Sequence, residues 1–231
     1  MPISGTTSTR DDGSAKQPKR PSGERKSWRA GITIIAILGL IGGGIAVWES
    51  VEYRFIPKRF GVVIPGEIYR SGQISRWMFE PTVKKYGIDT VIDLNGVAKN
   101  DLNQQAEIAS YETLDLNHYR IKLHGNGTGE VENYIEAIAT LAKAHRNGET
   151  VLVHCHAGTQ RTGSVLAAYQ ILVLGASPEA MYAKLQEYGW DPDSDQVLLH
   201  YLNGNMQRVA EALVERGIIE SVPDPLPVVG P

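Results

Sequence analysis

One cysteine and one arginine, six positions apart, are the residues of this chain whose types and spacing could do chemistry. Cys155 is the only cysteine among 231 residues, and Arg161 follows it within the segment 154–163. An apolar run at 150–153 precedes the cysteine, and another apolar run follows the arginine. That order predicts a strand, a tight loop and a helix. Such a loop can direct backbone N–H groups and the helix dipole at one anion. The same field lowers the pKa of a thiol, so the loop could both bind phosphate and supply the attacking nucleophile.

This segment resembles the signature loop of the cysteine-dependent protein tyrosine and dual-specificity phosphatases, His-Cys-x-x-Gly-x-x-Arg-Thr-Gly. Cys155, Gly158, Arg161 and Thr162 fall at the family's spacing, and His154 precedes the cysteine as it does there. The alternative interpretation of a lone cysteine is a small buried hydrophobic residue. The glycine and the arginine at these positions favour catalysis.

A second resemblance lies upstream of the signature loop. The segments 65–73 and 86–94 are similar to the opening of the small, atypical dual-specificity-like phosphatases. Together the two matches cover about residues 60–202 and leave out the first 55 residues.

The resemblance implies a separate role for each functional residue of the loop. Cys155 is the predicted nucleophile, which would carry a phosphocysteine intermediate. Arg161 would hold two phosphate oxygens with its planar guanidinium. Thr162 would assist by donating its hydroxyl to the leaving thiolate, or would simply cap the following helix. The predicted phosphate-binding residues are His156, Ala157, Gly158, Thr159, Gln160 and Arg161.

The two histidines beside the cysteine have less definite roles. His154 either supports the loop through hydrogen bonds or is an ordinary core residue. In the family, the position of His156 varies and tunes substrate preference. His156 and its neighbours add little positive charge here, which argues mildly against highly phosphorylated ligands.

The general acid is not evident from the sequence. The family usually places an aspartate in the loop that follows the strand predicted over 118–123, but residues 124–130 contain none. Glu130 is the tentative acid, although it could instead begin the next helix, where a negative charge is favourable. His124 is a second candidate. Asp191, which comes after the signature, is interpreted mainly as a turn residue.

Strands that alternate with helices predict an α/β domain over residues 60–217. The expected fold has a central, mainly parallel sheet flanked by helices, similar to dual-specificity phosphatases. The active loop would lie at the carboxyl end of a strand. Residues 218–231 are rich in proline and predict a loose tail.

The first 59 residues predict a membrane anchor ahead of this domain. Residues 1–29 are basic and polar, which is typical of disorder. The nineteen residues 30–48 hold no charge, and a helix of that length spans about 28 Å, so they predict one transmembrane helix. A cleaved signal peptide is the rival interpretation. Residues 49–59 form the predicted linker.

The basic residues before the apolar run predict a single-pass orientation with the N-terminus in the cytoplasm. The catalytic domain would then lie on the extracytoplasmic side. A net charge of −3 gives no indication of a nucleic-acid partner. A single cysteine excludes a disulfide within the chain and a cysteine-based zinc site, and neither a metal nor a cofactor is expected.

The sequence thus predicts a membrane-anchored phosphomonoester hydrolase. Its expected partners are phosphorylated proteins, with phosphotyrosine first and phosphoserine or phosphothreonine next, or a phospholipid headgroup. The alternatives are a phosphate-binding module without turnover and a phosphoinositide phosphatase. A sulfurtransferase also uses a lone cysteine in an anion-binding loop, but the Arg-Thr-Gly ending at 161–163 argues against it.

Overall fold

The computed structural model of the chain describes residue 1, residue 5 and residues 24–230. It contains two compact units, Met1–Glu49 and Ser50–Pro231. Helix α1 (Glu24–Val51) begins six residues before the apolar run at 30–48 and ends three residues after it. The disorder predicted for residues 1–29 falls mostly on residues 2–4 and 6–23, which lie outside the described residues.

The predicted membrane-spanning helix is not supported. Within the part of the chain that the structure describes, no helix has the length and apolarity that crossing a bilayer requires.

The second unit alternates short strands with helices after a 3₁₀ turn at Glu52–Arg54. The strands and helices described in it are, in chain order, β1 (Gly61–Ile64), β2 (Ile68–Ser71), α2 (Phe79–Tyr86), β3 (Thr90–Asp93), α3 (Leu102–Thr113), β4 (Asn117–Arg120), α4 (Val131–Arg146), β5 (Val151–His154), α5 (Gln160–Leu172), α6 (Pro178–Glu187) and α7 (Gln196–Glu215).

The five strands form one sheet in the order β1-β2-β5-β3-β4. Only β1 is antiparallel to its neighbour among the strands described, so the predicted α/β class with a mainly parallel sheet is confirmed. His154 at the end of β5 pairs with Ser71 on one side and with Asp93 on the other. The carboxyl ends of three adjacent strands therefore meet at one edge, where α/β proteins place their sites.

Both faces of the sheet are covered, which explains why β5 is apolar from Val151 to Val153, ahead of its last residue His154. Val151 and Val153 point into a core that α4, α5 and α7 complete. Leu152 points to the other face, where it packs with Phe79 and Val83 of α2. Successive side chains of a strand alternate between faces, so a strand covered on both sides has apolar residues at successive positions.

Helix α2 starts later than the sequence predicts. Helical spacing suggests a start at Ser75, but the helix begins at Phe79, two residues before Pro81. Proline is tolerated in the first turn of a helix and disrupts an interior, so Pro81 fixes the start. Trp77 therefore lies ahead of the helix and is 50% exposed instead of packing in the core.

The caps of two other helices agree with the sequence. The Asp101 carboxylate accepts hydrogen bonds from the N–H groups of Asn103 and Gln104 at the start of α3. Ser177 accepts one from Ala180 N–H at the start of α6. These bonds satisfy N–H groups that have no partner within the helix.

The proline-rich tail packs against the domain instead of lying loose. Asn203 on α7 donates from Nδ2 to the Val229 carbonyl at 2.9 Å and accepts from Val229 N–H at 2.9 Å. The Val229 side chain is 1% exposed. Buried apolar surface and paired backbone groups fix the end of the tail, which composition alone did not indicate.

Candidate active site

The cysteine lies at the base of a tight loop between β5 and α5, as the sequence predicts. The loop runs from Cys155 to Thr159, and α5 begins at Gln160. Gly158 has a φ of +75°, a conformation that favours glycine. Its backbone N–H donates to Cys155 Sγ at 3.1 Å. The first turn of α5 follows directly, so the positive end of its dipole lies at the loop.

Two glycines bring the signature loop into contact with the segment after β2. A Cβ at Gly158 would lie 2.5 Å from the backbone nitrogen of Gly72. A Cβ at Gly72 would lie 2.9 Å from the carbonyl oxygen of Ala157. The Gln73 N–H also donates to the His156 carbonyl at 3.1 Å. No side chain would fit between these two backbones, which explains the need for glycine at both positions.

Two arginines bind the outer side of the signature loop. Arg59 Nη1 donates to the Ala157 carbonyl at 3.0 Å. Arg70 Nη2 donates to the carbonyl of Gly158. In a trans peptide the N–H points away from the C=O. Carbonyls that face these arginines therefore leave the N–H groups of Gly158 and Thr159 directed into the loop, where an anion could bind.

Arg70 is a buried residue with an environment suited to a cation. Only 4% of the residue is exposed, and its guanidinium lies 3.6 Å from the centre of the Tyr188 ring. Burial lowers the pKa of Arg70 to about 10, against the raising effects of Tyr188 and of Cys155. The side chain is thus still charged at neutral pH, and its charge favours the thiolate.

The pKa of the Cys155 thiol lies below its ordinary value. Burial, the largest single effect, acts to raise it, since a buried thiolate loses its hydration. The Thr162 hydroxyl, the Arg161 charge and the N–H groups of Thr162 and Gly158 together outweigh burial. The buried Thr162 Oγ1 has no hydrogen bond of normal geometry, so the effect of this hydroxyl on the thiol is electrostatic.

Arg161 is held at one end and free at the other. Its Nη1 donates to the Leu94 carbonyl at 3.1 Å and to Asn95 Oδ1 at 2.9 Å. Its Nε is buried and has no hydrogen-bond partner. A buried donor without a partner costs about 1–3 kcal/mol, so this position suits an anion that would accept from the Arg161 Nε.

A buried ion pair supports the base of the loop. His154 Nε2 lies 2.9 Å from Glu107 Oε1 and 3.9 Å from Asp93 Oδ1. Burial acts to lower the pKa of His154, but Glu107 and Asp93 raise it to about 9. Burial likewise acts to raise the pKa of Glu107, while His154 and the hydrogen bonds of Tyr111 and Gln73 lower it to about 2. Both groups are therefore charged at neutral pH, and His154 is a structural cation next to Cys155.

Gln73 and Asn95 connect this ion pair to Arg161. Gln73 Nε2 donates to Glu107 Oε2 at 2.6 Å, and Gln73 Oε1 accepts from Asn95 Nδ2 at 3.2 Å. Asn95 Oδ1 in turn accepts from Arg161. A continuous polar network thus runs from the structural cation to the phosphate-binding arginine.

Asp93, Glu107 and His154 are also the one group of possible metal ligands among the residues described. One ligand atom from each lies within 4.8 Å of the others. A histidine must lose its proton to ligate a metal, and the raised pKa of His154 opposes this. Asp93 also accepts from Arg120 Nε at 2.8 Å. These ion pairs account for the cluster without a metal, and a metal-free site stays a prediction.

The remaining loop residues have different environments. His156 is exposed, Ala157 is half-buried and Thr159 is buried. Thr159 Oγ1 donates to the Tyr188 carbonyl at 3.2 Å, and Gln160 Nε2 donates to Asp195 Oδ2 at 2.9 Å. Both side chains are thus used to fix the loop. Thr159 and Gln160 could therefore bind a phosphate only through their backbone N–H groups.

The three candidates for the general acid differ in environment. Glu130 is the N-cap residue of α4, but its exposed side chain makes no capping hydrogen bond, so it is available for other roles. His124 is also exposed, in the same loop. Asp191 lies in a turn, where hydrogen bonds from Ser194 and from Asp193 N–H lower its pKa. A carboxylate that is held deprotonated is a poor proton donor, so the turn interpretation of Asp191 is favoured.

Two tyrosines fix the loop that contains Glu130 and His124. Tyr134 donates its hydroxyl to the Gly127 carbonyl, and Tyr201 donates to the Gly129 carbonyl at 2.7 Å. Gly127 has a φ of +85° and Gly129 a φ of +151°, so glycine is needed for this path. The loop follows β4, whose carboxyl end lies at the same sheet edge as the signature loop.

Sequence reasoning did not identify Arg59, Arg70, Glu107 or Asn95 as parts of the site. The signal for one of them was present, because Arg70 and Gln73 belong to the upstream match at 65–73. The contacts of Arg59 and Arg70 with the loop join residues 98 and 88 positions apart, which no local pattern indicates.

A cysteine of lowered pKa, an arginine with a free buried donor and a loop of inward N–H groups define a cysteine-based phosphatase. The family described as "Dual specificity phosphatase, catalytic domain" matches residues 71–193. The chain belongs to this family and is an enzyme of its class, a hydrolase.

Solved structures share the fold. The chain is similar to TpbA of Pseudomonas aeruginosa, with 21% identity, a TM-score of 0.53, and coverage of 68% of this chain and 91% of that one. It is also similar to the core catalytic domain of the PP-IP phosphatase Siw14 of Saccharomyces cerevisiae, with 16% identity, a TM-score of 0.54, and coverage of 74% and 97%. At these identities the likeness concerns the fold alone. No curated protein sequence is a significant match to the chain.

Proposed function

We propose that this phosphatase hydrolyses phosphate monoesters through a phosphocysteine formed on Cys155. The observation that carries the proposal is the pairing of a stabilised thiolate with an arginine whose buried Nε has no partner. A phosphate group bound in the loop would accept from that Nε and from the N–H groups of Gly158 and Thr159. Because these donors are in place beforehand, they stabilise the charge that develops on the phosphoryl oxygens without reorganising.

The reaction proceeds in two displacements. The Cys155 sulfur attacks phosphorus, the S–P bond forms, and the bond to the ester oxygen breaks with its electron pair on that oxygen. A general acid then protonates the leaving oxygen. In the second step water attacks phosphorus, loses a proton and expels the thiolate, which releases inorganic phosphate. Thr162 is suited to stabilise the thiolate as it leaves, since its hydroxyl lowers the pKa of Cys155.

The preferred substrate is an aryl phosphate, phosphotyrosine above all. Residues 124–130 contain no aspartate, and the tentative acid Glu130 is exposed. A phenol leaves with less help from an acid than an alcohol does, because its pKa is near 10. A structure of TpbA, which shares the fold, is a complex with phosphotyrosine. Phosphoserine, phosphothreonine and phospholipid headgroups are the alternative substrates.

The test is hydrolysis of p-nitrophenyl phosphate by the full-length chain, next to the variants Cys155→Ser and Arg161→Ala. We expect Cys155→Ser to abolish turnover and to keep phosphate binding, because the loop and the arginine are unchanged. Arg161→Ala should weaken both. Acid quenching during turnover should trap phosphate on the native protein and not on Cys155→Ser.

Two results would contradict the mechanism. Turnover by Cys155→Ser at the native rate would show that sulfur is not the nucleophile. Negligible turnover by the native chain, with phosphate binding retained, would favour the alternative of a phosphate-binding module.

We also propose, on the sequence alone, that residues 30–48 anchor the enzyme in a membrane with the N-terminus in the cytoplasm. Support comes from nineteen residues without a charge that follow a basic segment. Alkaline carbonate washing of membranes from cells that express the full chain tests the anchor, and release of the protein would contradict it. Protease added outside intact cells should then cleave the catalytic domain. Protection of the domain would indicate the opposite orientation.

A further inference from the structure

A groove beside the signature loop has a charge and shape that the proposed reaction does not use. It has a volume of about 540 Å³ and is bordered by His156, the residue after the nucleophile. Residues of the predicted linker form one wall, the segment between β2 and α2 forms a second, and the start of α3 forms a third. We call this space the linker groove.

Three cations line the linker groove without an acidic partner. Arg54, Lys58 and Arg76 border it, and none of them has an ion pair among the residues described. The one carboxylate in the lining, Asp101, is engaged in capping α3. Unpaired cations in a concave site raise the local concentration of anions.

Aromatic rings support these cations and hold them in place. The Arg76 guanidinium lies 4.5 Å from the centre of the Trp77 ring, and that of Arg54 lies 5.7 Å from it. Lys58 Nζ lies 5.1 Å from the centre of the Tyr53 ring. Each ring attracts a cation through its face and leaves the charge available to a ligand.

We propose that the linker groove is a specificity subsite that binds acidic residues next to the phosphorylated residue of a substrate peptide. This inference rests on the proposed function, because the groove begins at His156 beside the cysteine. The cations are spread along the groove and are interleaved with the amide side chains of Asn100 and Asn103, which can pair with a peptide backbone. A compact polyphosphate would favour cations gathered around the phosphate loop, where His156 adds little charge.

A hydrogen bond between the groove and the signature loop explains how binding in the groove would affect the rate of the reaction. Gln73 N–H donates to the His156 carbonyl, and Gln73 lines the groove. A peptide seated there would thus lie against the backbone that carries the nucleophile. Binding energy from flanking residues would then position the phosphate for attack.

The test compares two phosphotyrosine peptides of equal length, one with glutamates and one with glutamines beside the phosphotyrosine. With the full-length native chain we expect kcat/KM to be about tenfold higher for the glutamate peptide, which corresponds to about 1.4 kcal/mol. The double variant Lys58→Gln/Arg76→Gln should bring this ratio close to one. The native ratio should also shrink as salt rises from about 0.05 to 0.5 M, because exposed charges are screened.

Lys85→Gln is the matched control for the double variant. Lys85 Nζ lies 5.0 Å from the centre of the Tyr86 ring, much as Lys58 lies over Tyr53, but outside the groove. We expect this variant to keep the native ratio. An equal loss in Lys85→Gln would assign the preference to overall charge and would overturn the subsite.

The dissociation constants of the two peptides, measured on Cys155→Ser, distinguish a failure of the subsite from a failure of the proposed function. Failure of the proposed function would appear as no turnover of p-nitrophenyl phosphate, while the ratio of these dissociation constants still decides the subsite. If native turnover is normal and both peptides bind and react alike, the subsite is wrong. If the double variant instead loses turnover of inositol hexakisphosphate while the peptides stay alike, the groove binds a polyphosphate and the peptide proposal is overturned.

Discussion

Arg70 on β2 binds the carbonyl of Gly158 in the signature loop and so connects two adjacent strands at the active edge of the sheet. The arginine is buried and stacks on Tyr188, and the glycine N–H donates to the Cys155 sulfur. The carbonyl and the N–H of Gly158 thus make one hydrogen bond each, to Arg70 and to the Cys155 sulfur. Arg70 therefore holds in place the residue whose N–H stabilises the thiolate, and it orients the Thr159 N–H, which shares a peptide group with the Gly158 carbonyl.

The variant Arg70→Gln should lower kcat for an aryl phosphate by about 10–100-fold, because a shift of the loop by a fraction of an ångström misplaces the nucleophile. It should also slow alkylation of Cys155 by iodoacetamide at neutral pH, since both the Arg70 charge and the Gly158 amide favour the thiolate. Arg70→Lys keeps the charge but lacks the planar group that stacks on Tyr188, and it should restore only part of the rate.

Arg59→Gln is the comparison for this prediction. Arg59 binds the neighbouring carbonyl of Ala157, but it is exposed, so its loss should cost less than the loss of Arg70. If Arg70→Gln alkylates at the native rate while kcat falls, Arg70 does not act through the thiolate. If both rates are native, Arg70 has no positioning role.

Replacement of Thr162 by valine should raise the pKa of the Cys155 thiol. Valine keeps the size of the buried side chain and removes the hydroxyl that lowers this pKa. The pH dependence of iodoacetamide alkylation measures it, and the midpoint should move up in Thr162→Val. We also expect the thiolate to leave more slowly in the second step, with a loss of about tenfold in kcat, because the hydroxyl dipole no longer stabilises its charge.

Thr140→Val serves as the control for Thr162→Val. Thr140 is also buried, but it lies on α4 and bonds Glu136 at 3.4 Å. Its replacement should leave the alkylation midpoint unchanged. An unchanged midpoint in Thr162→Val as well would remove the hydroxyl from the list of groups that stabilise the thiolate.

The His154–Glu107 ion pair should make the stability of the domain decrease at alkaline pH. The pKa of His154 is about 9 in the folded protein and about 6.5 in an unfolded chain. The folded state thus binds a proton more tightly, and its stabilisation is complete below pH ~6.5 and lost as pH rises through about 9. Thermal unfolding between these values should show a falling Tm, by about 2–4 °C for each 1 kcal/mol lost.

A variant that removes both charges tests this assignment directly. His154→Gln/Glu107→Gln avoids a buried, unpaired charge, which a single substitution would leave. Its Tm should vary less with pH over the same range. NMR titration of the His154 ring is independent of folding yield in the variant, and a neutral imidazole at pH 7 would contradict the assignment.

The sequence predicts the parts of the site that are continuous in the chain. Gly158 and Arg161 stand at fixed positions after Cys155, and the apolar run before the cysteine predicts a buried strand. The helix cap at Asp101 and the parallel sheet were predictable for the same reason, since short-range hydrogen bonds and periodicity determine them.

The parts that join distant segments were not predictable. Arg70 and Glu107 were not assigned because their contacts depend on which strands become neighbours, and a single sequence does not contain that order. Helical spacing places Trp77 on one face with Val83 and Tyr86, but Pro81 delays the helix and leaves the Trp77 ring in the linker groove. The composition of residues 218–231 predicts a loose tail, because it does not reveal the two hydrogen bonds of Val229 with Asn203.

The last prediction concerns Glu130, the tentative proton donor in the loop between β4 and α4. Glu130 begins α4 without capping it, in a loop that Tyr134 and Tyr201 fix beside the active edge of the sheet.

A general acid must be protonated to act, so kcat should fall as pH rises through its pKa. Glu130→Gln should flatten this alkaline limb and lower kcat by about 10²-fold or less. The effect should be larger for an alkyl phosphate than for p-nitrophenyl phosphate, whose leaving group needs little protonation. Glu132→Gln, at the second position of the same helix and exposed, is the control. If Glu130→Gln keeps the native profile with both substrates and His124→Gln flattens it, the proton comes from the histidine.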